Sequence, residues 1–439
     1  MNRIRSTNKI NDRRPITQTL LRDCVTLWTL WWIAYGLITL LYQESSPRSI
    51  QTPPRVAALR LAAVGDVMMH QDVQRAADQA PSGFAALWLD VVPLFTRADL
   101  AFANLETPVA PRTGRKNRAF VFNAPADLPA ALRQTGLSII STANNHAFDQ
   151  GPAGVRETLE RLRAEKLLPV GSGLTRAEAE SAIIAEHNGI KVAFLAFTDL
   201  LNANRNQRPN EPWVRVLDID SATEAVSAAR RLADAVVVSV HWGHEYSHAP
   251  TIRQREAAQR LVAAGCDLIL GHHPHVLQPV EWVEAGNRQG LVAYSLGNFI
   301  SNQDRSYHAT SPIATGDSRD GVALIVTFTK AEGANSGGTA TLERVDYEPL
   351  WTENNWRAWK AGKAKRRDIH VMRINAALAK SQPVAALAEN LGKENSAQTA
   401  LAAGARANAA LNSSPNPWRI LRQRQERIAS ILGKSVAAQ

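Results

Sequence analysis

Short apolar runs recur along the middle of the chain, and each ends in polar or turn residues. Leu59 to Val64 stops at Gly65-Asp66, and Asp99 to Ala103 stops at Asn104-Leu105-Glu106. Ser138 to Thr142 ends in Ala143-Asn144-Asn145-His146, and Ala235 to Val240 in His241-Trp242-Gly243. Cys266 to Leu270 runs into Gly271-His272-His273-Pro274-His275. Runs this short, bounded by turn residues, predict buried strands. Lys191 to Phe197 alternates and predicts another. Between them lie helical patterns at 71–79, 84–95, Pro152 to Glu165 and Thr251 to Ala264. Ser221-Ala222-Thr223-Glu224 is a capping box opening a further helix. Strands alternating with helices predict a layered α/β fold. The later strands, Val280–Val283, Leu291–Ser295, Gly321–Phe328 and Thr339–Tyr347, predict a mixed sheet or a second sheet.

The two ends read differently. Residues 1–23 are polar and basic, and residues 24–42 are nineteen positions without a charge. A run of that length predicts a transmembrane anchor. The excess of positive charge before it predicts a cytoplasmic leader, a single pass through the cell membrane and an extracytoplasmic main domain. A cleavable signal peptide and a buried soluble helix are the alternatives. Residues 43–55, rich in Ser and Pro, predict a linker, and residues 56–350 the folded domain. Residues 351–439 predict a basic helical extension. Within it Asn416-Pro417 opens a helix whose Trp418, Leu421, Ile428 and Leu432 share one face, with Gly433 as the stop. That face predicts either a membrane-surface helix or one packed back on the domain.

The charge sharpens this division. The net charge is +10, but residues 1–42 hold six Lys/Arg against two Asp, and 357–439 hold fifteen against four Asp/Glu. The stretch between is net acidic, without the basic stripe interleaved with aromatics that a nucleic-acid partner would need. Two cysteines, Cys24 and Cys266, form neither a metal-ligand spacing nor a disulfide framework.

The strand ends carry the chemistry. In an open α/β sheet, ligands bind beyond the carboxyl ends of strands. Asp66, Glu106, Asn145-His146, His241 and His273/His275 all stand there. Three of the eleven histidines fall within four residues. Carboxylates with imidazoles suit a divalent transition metal, Mn, Fe or Zn, as one or two ions. A histidine beside them that is not a ligand would serve as a proton donor.

The order of these motifs resembles that of the calcineurin-like metallophosphoesterases, and specifically the capsule-synthesis proteins of the CapA, or poly-γ-glutamate biosynthesis, type. The carrying pieces are Gly65-Asp66-Val67-Met68, Asn104-Leu105-Glu106-Thr107-Pro108, Asn144 to Gly151, His241-Trp242-Gly243, Gly271 to His275 and Tyr294-Ser295-Leu296-Gly297-Asn298-Phe299. The resemblance implies a layered α-β-β-α sandwich of the metallo-dependent phosphatase type. It implies Asp66, Glu106, Asn145, His241, His273 and His275 as metal ligands, with His272 an alternative to His273. His146 is implied as the general acid, and Asp149 would orient it. Met68 departs from the pattern, standing where phosphoesterases keep His or Gln, which leaves one or two metals open. The implied role is a metal-dependent hydrolase or transferase of capsule or polyglutamate synthesis or export, or else a non-enzymatic subunit of that machinery. The implied partners are a cell-surface polymer or its precursor, other capsule or export membrane proteins, and the membrane.

Overall fold

Strand β1 (Val56–Val67) shows why its sequence is apolar almost without interruption: both of its faces are buried. Leu59, Leu61 and Ala63 enter one core, while Ala62 and Val64 enter another on the opposite face. Beside it run β2 (Leu100–Leu105), β3 (Ile139–Ser141) and β4 (Leu168–Val170), all parallel. A second sheet is built from β5 (Ile183–His187), β6 (Ile190–Thr198), β7 (Ala235–His241), β8 (Leu268–His272), β9 (Val280–Ala285) and β10 (Arg288–Ala293), in the order β9-β10-β8-β7-β6-β5. The chain then returns to the first sheet. There β11 (Asn298–Ile300) lies parallel to the tip of β1. Strands β12 (Asp320–Ala331), β13 (Thr341–Asn354) and β14 (Ile369–Arg373) extend it antiparallel, giving β14-β13-β12-β1-β2-β3-β4. The structure, a computed structural model, describes residues 28–39, 56–203, 207–331, 339–380, 417–433 and 437–438.

The two sheets face each other across a shared core. Phe102 and Leu324 from one meet Phe194, Val237 and Leu270 from the other. Burying a side chain of this size contributes about 1.5–3 kcal/mol. The outer face of the first sheet is covered by α1 (Gln71–Asp78) and short helical turns through Phe84, Trp88 and Leu132. Helix α2 (Gly151–Ala164) contributes Val155 and Leu159 to the shared core. The outer face of the second sheet is covered by α3 (Ile219–Arg230) and α4 (Ile252–Ala264), packed on Val236, Val238 and Ile269. The α/β domain is therefore layered helix, sheet, sheet, helix, and the carboxyl ends of its parallel strands carry the candidate residues.

The chain divides into two compact units, Met1–Arg55 and Val56–Gln439. In the first, the expectation of a membrane span is corrected. Among the described residues no helix is long and apolar enough to cross a membrane. The helix at 28–39 has twelve residues, whereas a span needs about twenty. Absence of charge is not apolarity: Trp28, Trp31, Trp32 and Tyr35 are residues of the membrane–water interface, and Thr29, Gly36 and Thr39 add little. The single-pass anchor falls with this finding. So do the cell-membrane localisation, the cytoplasmic N-terminus and the extracytoplasmic domain that rested on it. The leader at 1–23, the flanks of the run at 24–27 and 40–42, and the linker at 43–55 lie outside the described residues.

The carboxyl-terminal stretch also departs from expectation. Strand β13 continues to Asn354, and β14 adds an edge beyond it through Ile369 and Val371, both buried. This strand is hard to read in sequence because Arg366, Arg367, Asp368 and Arg373 crowd five residues. The helix expected from Pro417 is present as α5 (Pro417–Leu432). Its apolar face packs on the shared core through Leu421, Ile428 and Leu432, which leaves that face unavailable to a membrane surface. Residues 381–416 lie outside the described residues. Ile428→Ala should therefore lower stability by about 2–5 kcal/mol, read as a shifted urea midpoint. A loss under about 1 kcal/mol would mean that α5 is not part of the core.

Candidate metal centre

Strand register assembles the site. Asp66 on β1 lies opposite Asn104 on β2, and Asn104 lies opposite Ser141 on β3. In the second sheet His241 ends β7 directly opposite His272, the end of β8. A register irregularity between Ala63 and Asp66 turns the tip of β1, as bulges beside active sites commonly do. Two glycines permit close approach. A side chain at Gly65 would overlap the Gly297 carbonyl, and one at Gly271 would overlap that of Tyr294. The first of these lets β11 pair with β1, so that Asn298 faces Asp66.

Beyond Gly271 the chain makes a strained turn. His273 has φ +96° and His275 φ +57°. Non-glycine residues in that region cost about 1–3 kcal/mol each and persist only where the surroundings hold them. The turn brings His273 and His275 toward the carboxylates of the other sheet. His275 Nδ1 is 3.4 Å from Asp66 Oδ2, and its Nε2 is 3.8 Å from Glu106 Oε1. His241 Nε2 is 3.5 Å from Glu106 Oε1 and 2.9 Å from Asn145 Oδ1. Five expected residues, Asp66, Glu106, His241, His273 and His275, thus fall into two overlapping groups. One is Asp66, Glu106 and His241; the other is Glu106, His273 and His275. Within each group the donor atoms lie within 4.8 Å of one another, and Glu106 belongs to both. Asn145 adjoins the first group through His241.

The electrostatics are those of donors without a cation. Both Glu106 oxygens are buried with no hydrogen-bond partner, as is His273 Nδ1. Burial, and the neighbouring Asp66 charge, push the Glu106 carboxyl well above its ordinary range. Burial would raise Asp66 as well. The imidazoles of His272 and His275 against its oxygens outweigh that and hold it well below the ordinary range. Burial lowers His241 well below its usual value, and takes His273 down to about 4. Neutral imidazoles and an anionic carboxylate are the ligand forms of these groups. The set suits a divalent metal ion, and a cation there would satisfy the orphaned Glu106 oxygens.

His146 stands apart from both groups. Its Nδ1 is 2.7 Å from Asp149 Oδ2, which also accepts the Phe122 N–H at 2.6 Å. Facing a carboxylate, Nδ1 carries the proton, which leaves Nε2 for exchange. The Phe122 ring packs on the imidazole at 4.3 Å between centroids. His70 does not join the cluster. Its Nδ1 accepts the Asn302 N–H at 3.3 Å, and burial lowers it to about 4. Met68 is buried, its N–H bonded to the Ile300 carbonyl.

Three residues of the quoted motifs play supporting parts: Asn104, Asn298 and His272, the last expected as an alternative ligand to His273. Asn104 donates to Asp66 Oδ1 at 2.8 Å; its signal is a polar residue within a buried apolar strand. Asn298 places Oδ1 3.1 Å from His275 Nδ1. His272 lies against Phe102 with Nδ1 3.2 Å from Asp66 Oδ1, and the candidate ligand groups contain His273 in its place.

Residues 60–303 match the family described as bacterial capsule synthesis protein PGA_cap. The chain is 35% identical over 243 residues to the PGA biosynthesis protein CapA of Bacillus subtilis (strain 168), covering 55% of this chain and 62% of that protein's length. It is 30% identical over 298 residues to the capsule biosynthesis protein CapA of Bacillus anthracis, covering 65% of this chain and 71% of that one. A probable polyglutamine synthesis accessory protein of Mycobacterium tuberculosis is 27% identical over 230 residues, with 48% and 57% covered.

The raised Glu106 carboxyl gives a signed test in chelator. Folded protein keeps the Glu106 proton at a pH where the unfolded carboxyl has lost it. Its contribution to stability is therefore present below about pH 4.3, the usual glutamate value, and lost as the pH rises toward the folded pKa. Asp66 has the opposite sign: its contribution is lost as the pH falls below the ordinary carboxylate range. Denaturation midpoints of metal-free protein against pH should show a smaller alkaline loss in Glu106→Gln than in wild type. Superimposable curves would mean that Glu106 is not held protonated.

Proposed function

The chain belongs to the bacterial capsule synthesis protein family, and from that membership we propose that it acts in capsule or poly-γ-glutamate biosynthesis as a metal-dependent hydrolase or transferase on an anionic polymer or its precursor. The carrying observation is the pairing of a buried, cation-seeking cluster with a proton-carrying dyad. Glu106 has no partner for either oxygen, and the His146–Asp149 pair stands outside the ligand groups. A structural metal site needs the first and has no use for the second.

Asp66, Glu106, Asn145, His241, His273 and His275 would hold one or two ions of Mn, Fe or Zn, with Glu106 shared if there are two. When bound, such an ion supplies Lewis acidity toward a substrate oxygen and an activated water. The chain's own residues do the rest. Asn104 and the His272 ring fix Asp66. Asp149 accepts from Nδ1 of His146, so that the doubly protonated ring can deliver its Nε2 proton to the leaving oxygen or nitrogen and remain as the neutral Nδ1–H tautomer. The order of these residues along the chain supports a link to calcineurin-like metallophosphoesterases, with Met68 as the departure.

The rim supports an anionic substrate. Arg115, Lys116 and Arg118 are exposed on the loop that precedes Phe122. Asn117 Nδ2 donates to the Met69 carbonyl at 2.6 Å, and the Arg115 N–H to Gln150 Oε1 at 2.7 Å. Phe122, which covers His146, closes the same loop.

His146→Ala should keep the metal content and fold of the wild type. Turnover of chromogenic phosphoesters or γ-glutamyl anilides, whichever a screen finds active, should fall by roughly 10²–10⁴-fold, the worth of a general acid. Loss of metal along with activity would make His146 a ligand. Unchanged turnover would point to a non-enzymatic metal site.

A further inference from the structure

The strained His273-Pro274-His275 turn is held from outside, and the support leads to a helix beyond the family-matched residues 60–303. The loop after β7 is joined to the turn by three hydrogen bonds. The Tyr246 N–H donates to the Pro274 carbonyl at 2.7 Å, and Gln278 Nε2 donates to the Ser247 carbonyl at 2.8 Å. His248 Nδ1 lies 2.7 Å from the Leu277 carbonyl. Its Nε2 lies 2.8 Å from Asp317 Oδ2. A carbonyl and a carboxylate both accept, so a ring that satisfies both must donate from both nitrogens. His248 is thus a cationic strut.

Asp317 is fixed in turn by α5. Arg427 Nε donates to Asp317 Oδ1 at 2.6 Å, and its Nη2 to Oδ2. Arg424 is fully buried and donates to Asp317 Oδ1 at 3.0 Å, Asp320 Oδ2 at 3.1 Å and the Ile313 carbonyl at 2.5 Å. Its guanidinium packs over Tyr307 and Trp351. A buried arginine on the apolar face of a core helix is costly unless its donors are satisfied; these acceptors take Nη1 and Nη2, and only Nε is left without a partner.

We propose that His248 is a positioning residue for the His273–His275 turn, and that α5 completes the metal centre within the same chain by clamping Asp317 against it. This rests on the reading of His273 and His275 as metal ligands. The charged groups facing His248 are Asp317, which favours its cation, and Arg427, which opposes it. Its hydrogen bond to Asp317 prevails and raises the His248 pKa. The strut is therefore complete at low pH and is lost as the pH rises through that raised pKa. Deprotonation of ligand histidines strengthens metal binding in the opposite direction, so the sign separates the two effects.

The test uses the full chain. Imidazole ¹⁵N spectra, with His248 assigned by its loss in His248→Gln, should show both of its ring nitrogens predominantly protonated at about pH 6.5, the ordinary histidine pKa. A single neutral tautomer there would overturn the proposal. Mn²⁺ affinity should be about tenfold weaker in folded His248→Gln and Arg427→Gln than in wild type, the lower end of what lost outer-shell support costs. That wild-type advantage should shrink as the pH rises. Equal affinities across the pH range would refute the strut. A wild-type chain without Mn²⁺ affinity would refute the metal reading instead, with the strut still decided by the ¹⁵N spectra.

Discussion

A fully buried carboxyl group with no hydrogen-bond partner is among the costliest groups a protein can hold, and Glu106 is such a group, with the His241 and His275 rings 3.5 and 3.8 Å from its Oε1. Around it the chain places a second carboxylate, Asp66, and the imidazoles of His241, His273 and His275. Without a cation this arrangement is resolved by proton redistribution: Asp66 stays ionised under its histidines while Glu106 is pushed toward its neutral form. With a divalent ion the same atoms become a matched ligand set. Much of the fold is intelligible as what it takes to bring these groups together from two separate sheets.

Each sheet delivers its share through the carboxyl ends of parallel strands, and the tips are fixed by backbone approaches that only glycine permits. Gly65 admits β11 beside β1, and Gly271 passes the Tyr294 carbonyl. The cost of the site is concentrated at the left-handed His273 and His275. That strain is opposed by hydrogen bonds from the loop carrying Tyr246 and His248. Asp317 and the arginines of α5 stand behind that loop. Stability and site geometry are therefore linked through the end of the chain, although its basic composition suggests an appendage.

The residues of the cluster were legible because each follows an apolar strand, and parallel strands bring their ends to one edge. Their grouping was not, since only the register, Asp66 opposite Asn104 and His241 opposite His272, decides which side chains meet. Asn104 stands in one of the quoted motifs but its role could not be assigned, because its work is to hold Asp66 and nothing in a single sequence separates a supporting amide from a turn residue. The membrane span failed for a different reason. Length without charge was read as apolarity, yet aromatic and small residues occupy much of the run, and the described helix covers twelve of its positions. At the other end, alternating Ile369 and Val371 were masked by flanking charges. The buried side of α5 was legible in Leu421, Ile428 and Leu432, but Arg424, on that same buried side, gave no hint of its acceptors.

The most direct measurement is anomalous diffraction from crystals of the Mn²⁺-loaded protein, with data collected on either side of the manganese absorption edge. One or two anomalous peaks should appear within ligand distance of Glu106, flanked by Asp66, His241, His273 and His275. Full Mn²⁺ loading in solution with no peak at Glu106, or with peaks only elsewhere, would contradict the reading of this cluster as the metal centre.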